Sequence, residues 1–443
     1  MPVIEKKLRT RKLAWEIIFK AFDEDRRLSE VTQEKLVKIN LSDREKRFTI
    51  DLIQGTIRMR GRLEWELKQV YKNDWHNLIL KVKILLWIGA YQISYMDSVP
   101  AYAAVSTSVA LAKGIHYKAT GLINALLRVY SESCKKSLTE PKEEEQWAEF
   151  MSHPRWLIRK WSLFWSREDV KTMCEWNNKK PIIWFRLNSI QMSIQERDRY
   201  LNENNFEFST WKYDNRFFNV KQTSRLLNDL IFDEGKLSIQ NPAGGLVVKL
   251  LNPQKKDIIT DTCAAPGGKT SFISQLMENT GKILAYDSSM IRLKKLAKGM
   301  SKLKVDNVNA EMADMSNYKL IKSSKMIVDV PCTGTGVMSK RADLRWRRTI
   351  KNLNELVHLQ RNILSNVSSF VKKGGILVYS TCSLEHEENW GIVDNFLQTN
   401  KNWKIEPANK YLPKEFIDSR GALYTFPPKH GIDGGFAVRL IKK

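Results

Sequence analysis

Asp257–Met277 reads D-I-I-T-D-T-C-A-A-P-G-G-K-T-S-F-I-S-Q-L-M. An apolar run closing on Asp261 predicts a strand, the Ala- and Gly-rich stretch a turn, and the residues from about Thr270 a helix. Gly267 and Gly268 let backbone amides approach a ligand near the positive end of that helix. The ending Gly-Gly-Lys-Thr imitates an ATP-binding loop. That motif needs glycine where Cys263 stands, and the dinucleotide pattern GxGxxG is absent as well.

Reading outward, the apolar runs KILAYD, VNAEMAD, KMIVDV and ILVYST alternate with helical stretches. The alternation predicts a parallel sheet with helices on both faces, whose ligands lie beyond the carboxyl ends of the strands. Those ends carry Asp261, Asp287, Asp314, Asp329 and Ser380-Thr381. An aspartate at a strand end is ordinarily a turn former. Four in register favour a nucleoside cofactor, with Asp287 placed for ribose hydroxyls and Asp314 for the adenine region.

Upstream, residues from about 5 to 130 carry helix-period apolar patterns such as LAWEIIFKAF and ILLWIGAYQISYM, with almost no strand signal. Residues 131–150 are charged and poor in apolar side chains, as a solvated linker or exposed helix would be. Between 152 and 245 the pattern is mixed. SHPRWLIRKWSLFW predicts a helix, IIWFRLNS and RFFNVKQ predict strands, and the tryptophans there either stack RNA bases or pack a small core.

The net charge of +24 points to a polyanionic partner, nucleic acid ahead of membrane, because no basic amphipathic tail or lipidation motif is present. No stretch approaches the roughly 18 apolar residues of a spanning helix. The basic start lacks the pattern of a secretory signal, and Glu5 and Glu16 interrupt it as a transit peptide. Cys134, Cys174, Cys263, Cys332 and Cys382 are widely spread without CxxC spacing, which disfavours a disulfide framework or zinc site.

Two of these cysteines lie just beyond strands, in DVPCTGTGVM and YSTCSLEHEENW. A thiolate there has a chemical use. Carbon-5 of a pyrimidine takes a methyl group only after a nucleophile has added to carbon-6, so covalent catalysis divides one hard step into easier ones. Which cysteine attacks is open on these grounds, since related chemistry on DNA uses the Pro-Cys cysteine.

CAAPGGKT, VDVPCTGTG and STCSLEHEEN together resemble the RsmB/Sun family of bacterial RNA 5-methylcytosine methyltransferases, kin to the NSUN enzymes. In the first part, DREKRFTIDLIQGTIR, GAYQISYMDSVPAYAAVSTSVALAK and GLINALLR resemble that family's NusB-like module; SHPRWLIRKW and GKLSIQNPAG resemble its intervening region. The resemblance implies Cys382 as nucleophile and Cys332 as the residue assisting product release. It places S-adenosylmethionine on Cys263, Ala264, Ala265, Pro266, Gly267, Gly268, Lys269, Asp287, Asp314 and Asp329, the last also beside the cytosine ring. The implied fold is an α/β Rossmann-like methyltransferase domain at 246–443, preceded by an all-α NusB-like RNA-binding domain at 1–135 and a small α+β linker subdomain at 136–245. The implied partner is 16S ribosomal RNA, for a cytoplasmic, metal-free, monomeric enzyme. Departures from the family pattern are Asn241 and Gly244 in QNPAG, Thr333, and the segment KRADLRW. The rival reading is a non-catalytic RNA-binding or antitermination factor on a methyltransferase scaffold; the missing GxGxxG disfavours a nicotinamide oxidoreductase.

Overall fold

In the computed structural model, which describes residues 3–133 and 139–443, the chain packs as two compact units, Met1–Lys180 with Met338–Arg347, and Pro181–Val337 with Arg348–Lys443. Cys134 lies outside the described residues.

The first unit is helical. Helix Leu80–Tyr95 is its centre: Ile84, Leu85, Leu86, Trp87 and Ile88 are all buried, as expected of a helix that is apolar all round. Helices Val3–Asp23, Asp43–Val70, Ala101–Ile115 and Thr120–Ser133 pack against it and one another. Ser42 and Glu45 form a reciprocal capping box at the start of Asp43–Val70, a device that contributes about 1 kcal/mol. The charged 131–150 stretch ends in helix Glu144–Phe150, which buries Trp147 and Ala148 and leaves Glu144, Glu145 and Gln146 exposed. In helix Arg155–Trp161, Trp161 is 2% exposed, so this tryptophan serves a core.

Segment Met338–Arg347 belongs to this unit although its neighbours in sequence do not. It contains KRADLRW. Arg345 is fully buried and donates to the carbonyl oxygens of Arg58 (3.3 Å), Ser152 (3.0 Å) and Asn177 (2.9 Å), and to Asn178 Oδ1 (2.7 Å). Trp346 Nε1 donates to Ile57 O, and Gly61 is required opposite it, since a Cβ there would stand 2.8 Å from the indole.

The second unit holds two sheets. β1 (Phe185–Leu187), β2 (Phe208–Thr210), β3 (Phe217–Val220) and β4 (Leu237–Ile239) form an antiparallel sheet in the order β2-β3-β1-β4. The larger sheet is built from β5 (Ile258–Asp261), β6 (Lys282–Asp287), β7 (Val308–Met312), β8 (Ser323–Asp329), β9 (Val371–Thr381), β10 (Trp403–Glu406), β11 (Leu423–Thr425) and β12 (Gly435–Lys442). Its order is β10-β12-β9-β8-β5-β6-β7, with β11 paired to β12. β7, β6, β5, β8 and β9 are parallel, and β12 runs antiparallel to β9. The chain starts at β5, winds outward to β7, then returns to β8 on the other side. This reversal makes the carboxyl end of β5 a topological switch point, where the crevice between diverging loops receives a ligand.

Helix Pro242–Leu251 covers this sheet. Asn241 caps it, its Oδ1 accepting from the Ala243 amide at 3.0 Å and from the Asp433 amide at 3.1 Å. A neutral amide oxygen thus supplies the acceptor that an aspartate would supply, so the departure at Asn241 costs the cap nothing. Gly244 faces only the Gln240 side chain, at 3.4 Å from where its Cβ would be.

Candidate active site

Beyond β5 the chain turns through Thr262–Gly267 and enters helix Gly268–Leu276, two residues earlier than the sequence pattern suggests. Gly267 adopts φ +102°, a left-handed conformation that favours glycine. No side chain caps the helix, and a Cβ on Gly268 would find only Gln240 Nε2, at 3.9 Å. The first-turn amides therefore lie beneath an uncrowded surface. Asp261 is buried under the turn, accepting from the Thr270 hydroxyl at 2.8 Å, and burial pushes its carboxyl up to about 7.

Asp287, at the end of β6, is 2% exposed. Its oxygens accept from the Ala265 amide (3.3 Å) and the Ser289 amide (3.0 Å), and Arg292 Nη1 lies 3.2 Å away. It therefore ties the turn to the sheet; a carboxylate has about four lone-pair positions, which leaves capacity for ribose hydroxyls. Asp314 lies two residues past β7 and is exposed, with Oδ1 accepting from the Ser316 amide.

The chemistry gathers at the ends of β8 and β9. Lys269 Nζ meets Asp329 Oδ2 at 2.6 Å, and the Ser380 hydroxyl donates to Asp329 Oδ1 at 2.8 Å. Burial works to lower the Lys269 pKa, but Asp329, its hydrogen bond and the neighbouring Cys382 outweigh it and hold the ammonium above its ordinary value. Cys332 Sγ and Cys382 Sγ are 3.2 Å apart, both half-buried. The hydrogen bond to Cys382 pushes the Cys332 thiol well up, with burial and the charges of Cys382, Glu388 and Asp329 adding to it. One sulfur of the pair thus holds its proton strongly. Cys263 is half-buried on the turn, and its thiol is also pushed up, chiefly by burial.

The residues singled out in the sequence thus fall along one edge of one sheet, Cys263–Lys269 and Asp287 around the turn, Asp329 with the two thiols, and Asp314 at the exposed flank. Not foreseen were the side chains that hold the thiol loops. Glu388 accepts from the Thr333 amide (2.9 Å) and hydroxyl and from Gln360 Nε2 (2.8 Å). Gln360 also donates to Pro331 O (2.8 Å), and Arg348 donates to the Cys332 and Thr333 carbonyls (3.3 Å each). Gln360 had a readable signal: it is the polar member of a stripe with Leu353, Val357, Leu364 and Val367 at helical spacing. Thr333, a departure from the family pattern, supplies the hydroxyl for Glu388 and approaches Ser383 Oγ at 3.1 Å.

Three family profiles match. "NusB family" covers residues 8–132, "Methyltr_RsmF/B-like, ferredoxin-like domain" residues 153–220, and "16S rRNA methyltransferase RsmB/F" residues 248–441. The probable ribosomal RNA small subunit methyltransferase B of Synechocystis sp. is 31% identical over 417 residues, which is 92% of this chain and 93% of that protein. The chain belongs to the 16S rRNA methyltransferase RsmB/F family. A Bacillus subtilis RsmB/F relative, also named a probable ribosomal RNA small subunit methyltransferase B, is 27% identical over 99% of this chain and 100% of its own. Among solved structures, PH0851 superposes with a TM-score of 0.82 at 22% identity, covering 98% of this chain and 99% of its own, a likeness of fold. A methyltransferase homologue from Pyrococcus horikoshii gives 0.58 at 27% identity, over 67% of this chain and 97% of its own. This RsmB/F chain is therefore a methyltransferase of ribosomal RNA, with an all-helical NusB-like part, a small ferredoxin-like part and a Rossmann-like part.

Proposed function

We propose that this enzyme transfers a methyl group from S-adenosylmethionine to carbon-5 of a cytosine in 16S ribosomal RNA, with Cys382 as nucleophile and Cys332 assisting release. The observation that carries the reading is the 3.2 Å approach of two sulfurs beside the Lys269–Asp329 pair at the carboxyl edge of the sheet. Ordinary turn chemistry gives no reason for two thiols to meet at a ligand crevice.

The turn fits the cofactor. The open face of Gly268, the uncapped helix start and the exposed Asp314 offer amide donors and a carboxylate to a nucleoside. Cys263–Lys269, Asp287, Asp314 and Asp329 would hold it. When bound, S-adenosylmethionine supplies an electrophilic methyl on a sulfonium.

Cys382 Sγ, as thiolate, forms a bond to carbon-6 of the cytosine, and the electron pair moves onto carbon-5. Carbon-5 would then take the methyl group that the sulfonium held at Cys263–Lys269, Asp287, Asp314 and Asp329 would supply, the cofactor leaving as a neutral thioether. A base then removes the carbon-5 proton; the returning pair restores the ring double bond and expels Cys382. Asp329, held by Lys269 and Ser380, would orient the base edge. Lys269 places positive charge near Cys382, which favours a thiolate there. Cys332 keeps a proton in contact with the same sulfur and assists the expulsion.

The helical unit and the net charge of +24 are proposed to supply electrostatic affinity for RNA, so affinity should fall steeply with salt. Adduct trapping tests the chemistry. With 16S ribosomal RNA and S-adenosylmethionine, Cys332→Ala should accumulate a protein–RNA species that survives denaturing electrophoresis, and Cys382→Ala should form none. Trapping in Cys382→Ala instead would reverse the roles, and trapping in neither would remove the covalent mechanism.

A further inference from the structure

Glu388 is fully buried, at 0% exposure, yet takes no part in the bond-making steps above. It sits at the end of a short helical turn, His386–Glu388, following the Cys382 loop. Its side chain reaches across to the other thiol-bearing loop, where Oε1 takes the Thr333 amide and Oε2 the Thr333 hydroxyl. Oε1 also accepts from Gln360 Nε2, which bonds Pro331 O with the same amide group. Its own carbonyl accepts from the Tyr379 hydroxyl at 2.6 Å, so Glu388 is tied to β9 as well. The residues on both sides of Cys332 are therefore held through one carboxylate. Burying a carboxylate is costly unless its oxygens are well bonded, and a structural tie between loops needs no charge.

We propose that Glu388 is a positioning residue that clamps the Pro331–Cys332–Thr333 turn, fixes the Cys332 thiol against the Cys382 sulfur and gives the two sulfurs unequal roles. The charge has a second effect at this distance. Together with Asp329 it disfavours a negative Cys332, after the hydrogen bond to Cys382, burial and the Cys382 charge itself. The groups around Cys332 are Tyr379 from β9 and Cys382 just beyond it, Glu388 from the following turn, Asp329 from β8 with Lys269 bonded to it, and Arg348 on the Cys332 carbonyl. Among them the carboxylates oppose ionisation of Cys332, while Lys269 lies on the Asp329 and Cys382 side. Negative charge is thereby directed to Cys382 and the proton to Cys332. The inference rests on the reading that Cys332 acts in release.

The test uses the full chain carrying Glu388→Gln, which preserves shape and removes charge. Alkylation by iodoacetamide, followed for the Cys332 peptide by mass spectrometry across pH, should show its midpoint falling by about one pH unit. With 16S ribosomal RNA and S-adenosylmethionine, the denaturation-resistant adduct should still form and its release should slow about tenfold, while cofactor affinity stays within about twofold. A purely structural role would lower adduct formation, cofactor affinity and melting temperature together and leave the alkylation midpoint in place; either result overturns the proposal. If no variant of the chain forms an adduct, the reaction reading has failed and the alkylation midpoint still decides on Glu388. Should Glu388→Gln not fold, Thr333→Val keeps the carboxylate and removes one donor. Slowed release with retained adduct formation then supports the clamp, and unchanged release overturns it.

Discussion

Arg345 and Glu388 are both fully buried charged side chains, and each is bonded to neutral groups, but they are used differently. Arg345 collects three backbone carbonyls and an amide oxygen from separate parts of the helical unit. Burial pushes its pKa down, with the nearby Arg58 adding to the effect. Glu388 collects an amide, a hydroxyl and a side-chain NH2, and its charge is felt by the Cys332 sulfur. A buried charge far from chemistry acts as a staple with many donors. The same device beside two thiols also biases which of them ionises.

The comparison is most exposed to Arg345→Met. Four acceptors lose their donor at once, so the helical unit should lose about 3–5 kcal/mol, read by chemical denaturation. Isolated loss of cofactor binding with the stability unchanged would contradict the staple. Next comes Asp287→Ala, where removing charge-assisted hydrogen bonds should cost about 1.5–3 kcal/mol of S-adenosylmethionine affinity, or about one to two decades by calorimetry. Unchanged affinity would reduce Asp287 to its ties with Ala265, Ser289 and Arg292.

Asp261 is a buried carboxyl of a third kind, costly when ionised. Its folded pKa of about 7 lies above the unfolded value near 4, so it stabilises the fold when protonated. That contribution is complete below about pH 4 and is lost as pH rises through 7. Asp261→Asn should therefore gain on the native chain, on the order of 4 kcal/mol, with the gap widening from pH 4 to 7 and then level. A gap constant across pH would refute the assignment. The smallest effect is expected at the exposed Arg420–Asp394 pair, 2.5 Å long, where Asp394→Ala should cost less than about 0.5 kcal/mol in thermal melts.

What the sequence made legible was whatever chemistry must be spelled out locally. The glycine turn, the acidic strand ends and the two cysteines follow strands whose apolar runs are unmistakable, and they meet at one sheet edge because parallel strands all end there. The staple and the clamp were not legible. KRADLRW stands out in the sequence only as a departure from the family pattern, since nothing local reports that Arg345 will find four distant oxygens. Glu388 stands among Glu385, His386 and Glu387, and neither its burial, which Glu385 shares, nor its reach to Thr333 and Gln360 is written in that local pattern. Trp147 was hidden in the same way, one aromatic in a charged run, buried together with Ala148.

The membership of Met338–Arg347 in the helical unit has a consequence for how the chain comes into being. Synthesis proceeds from the amino terminus, and early domains generally fold as they emerge from the ribosome. Here the first 180 residues emerge without Arg345, so the carbonyls of Arg58, Ser152 and Asn177 wait for a donor that has not yet been translated. The part of the protein made first is completed only after β5–β8 have been made, and a nascent chain cut short before residue 345 carries an unfinished helical unit.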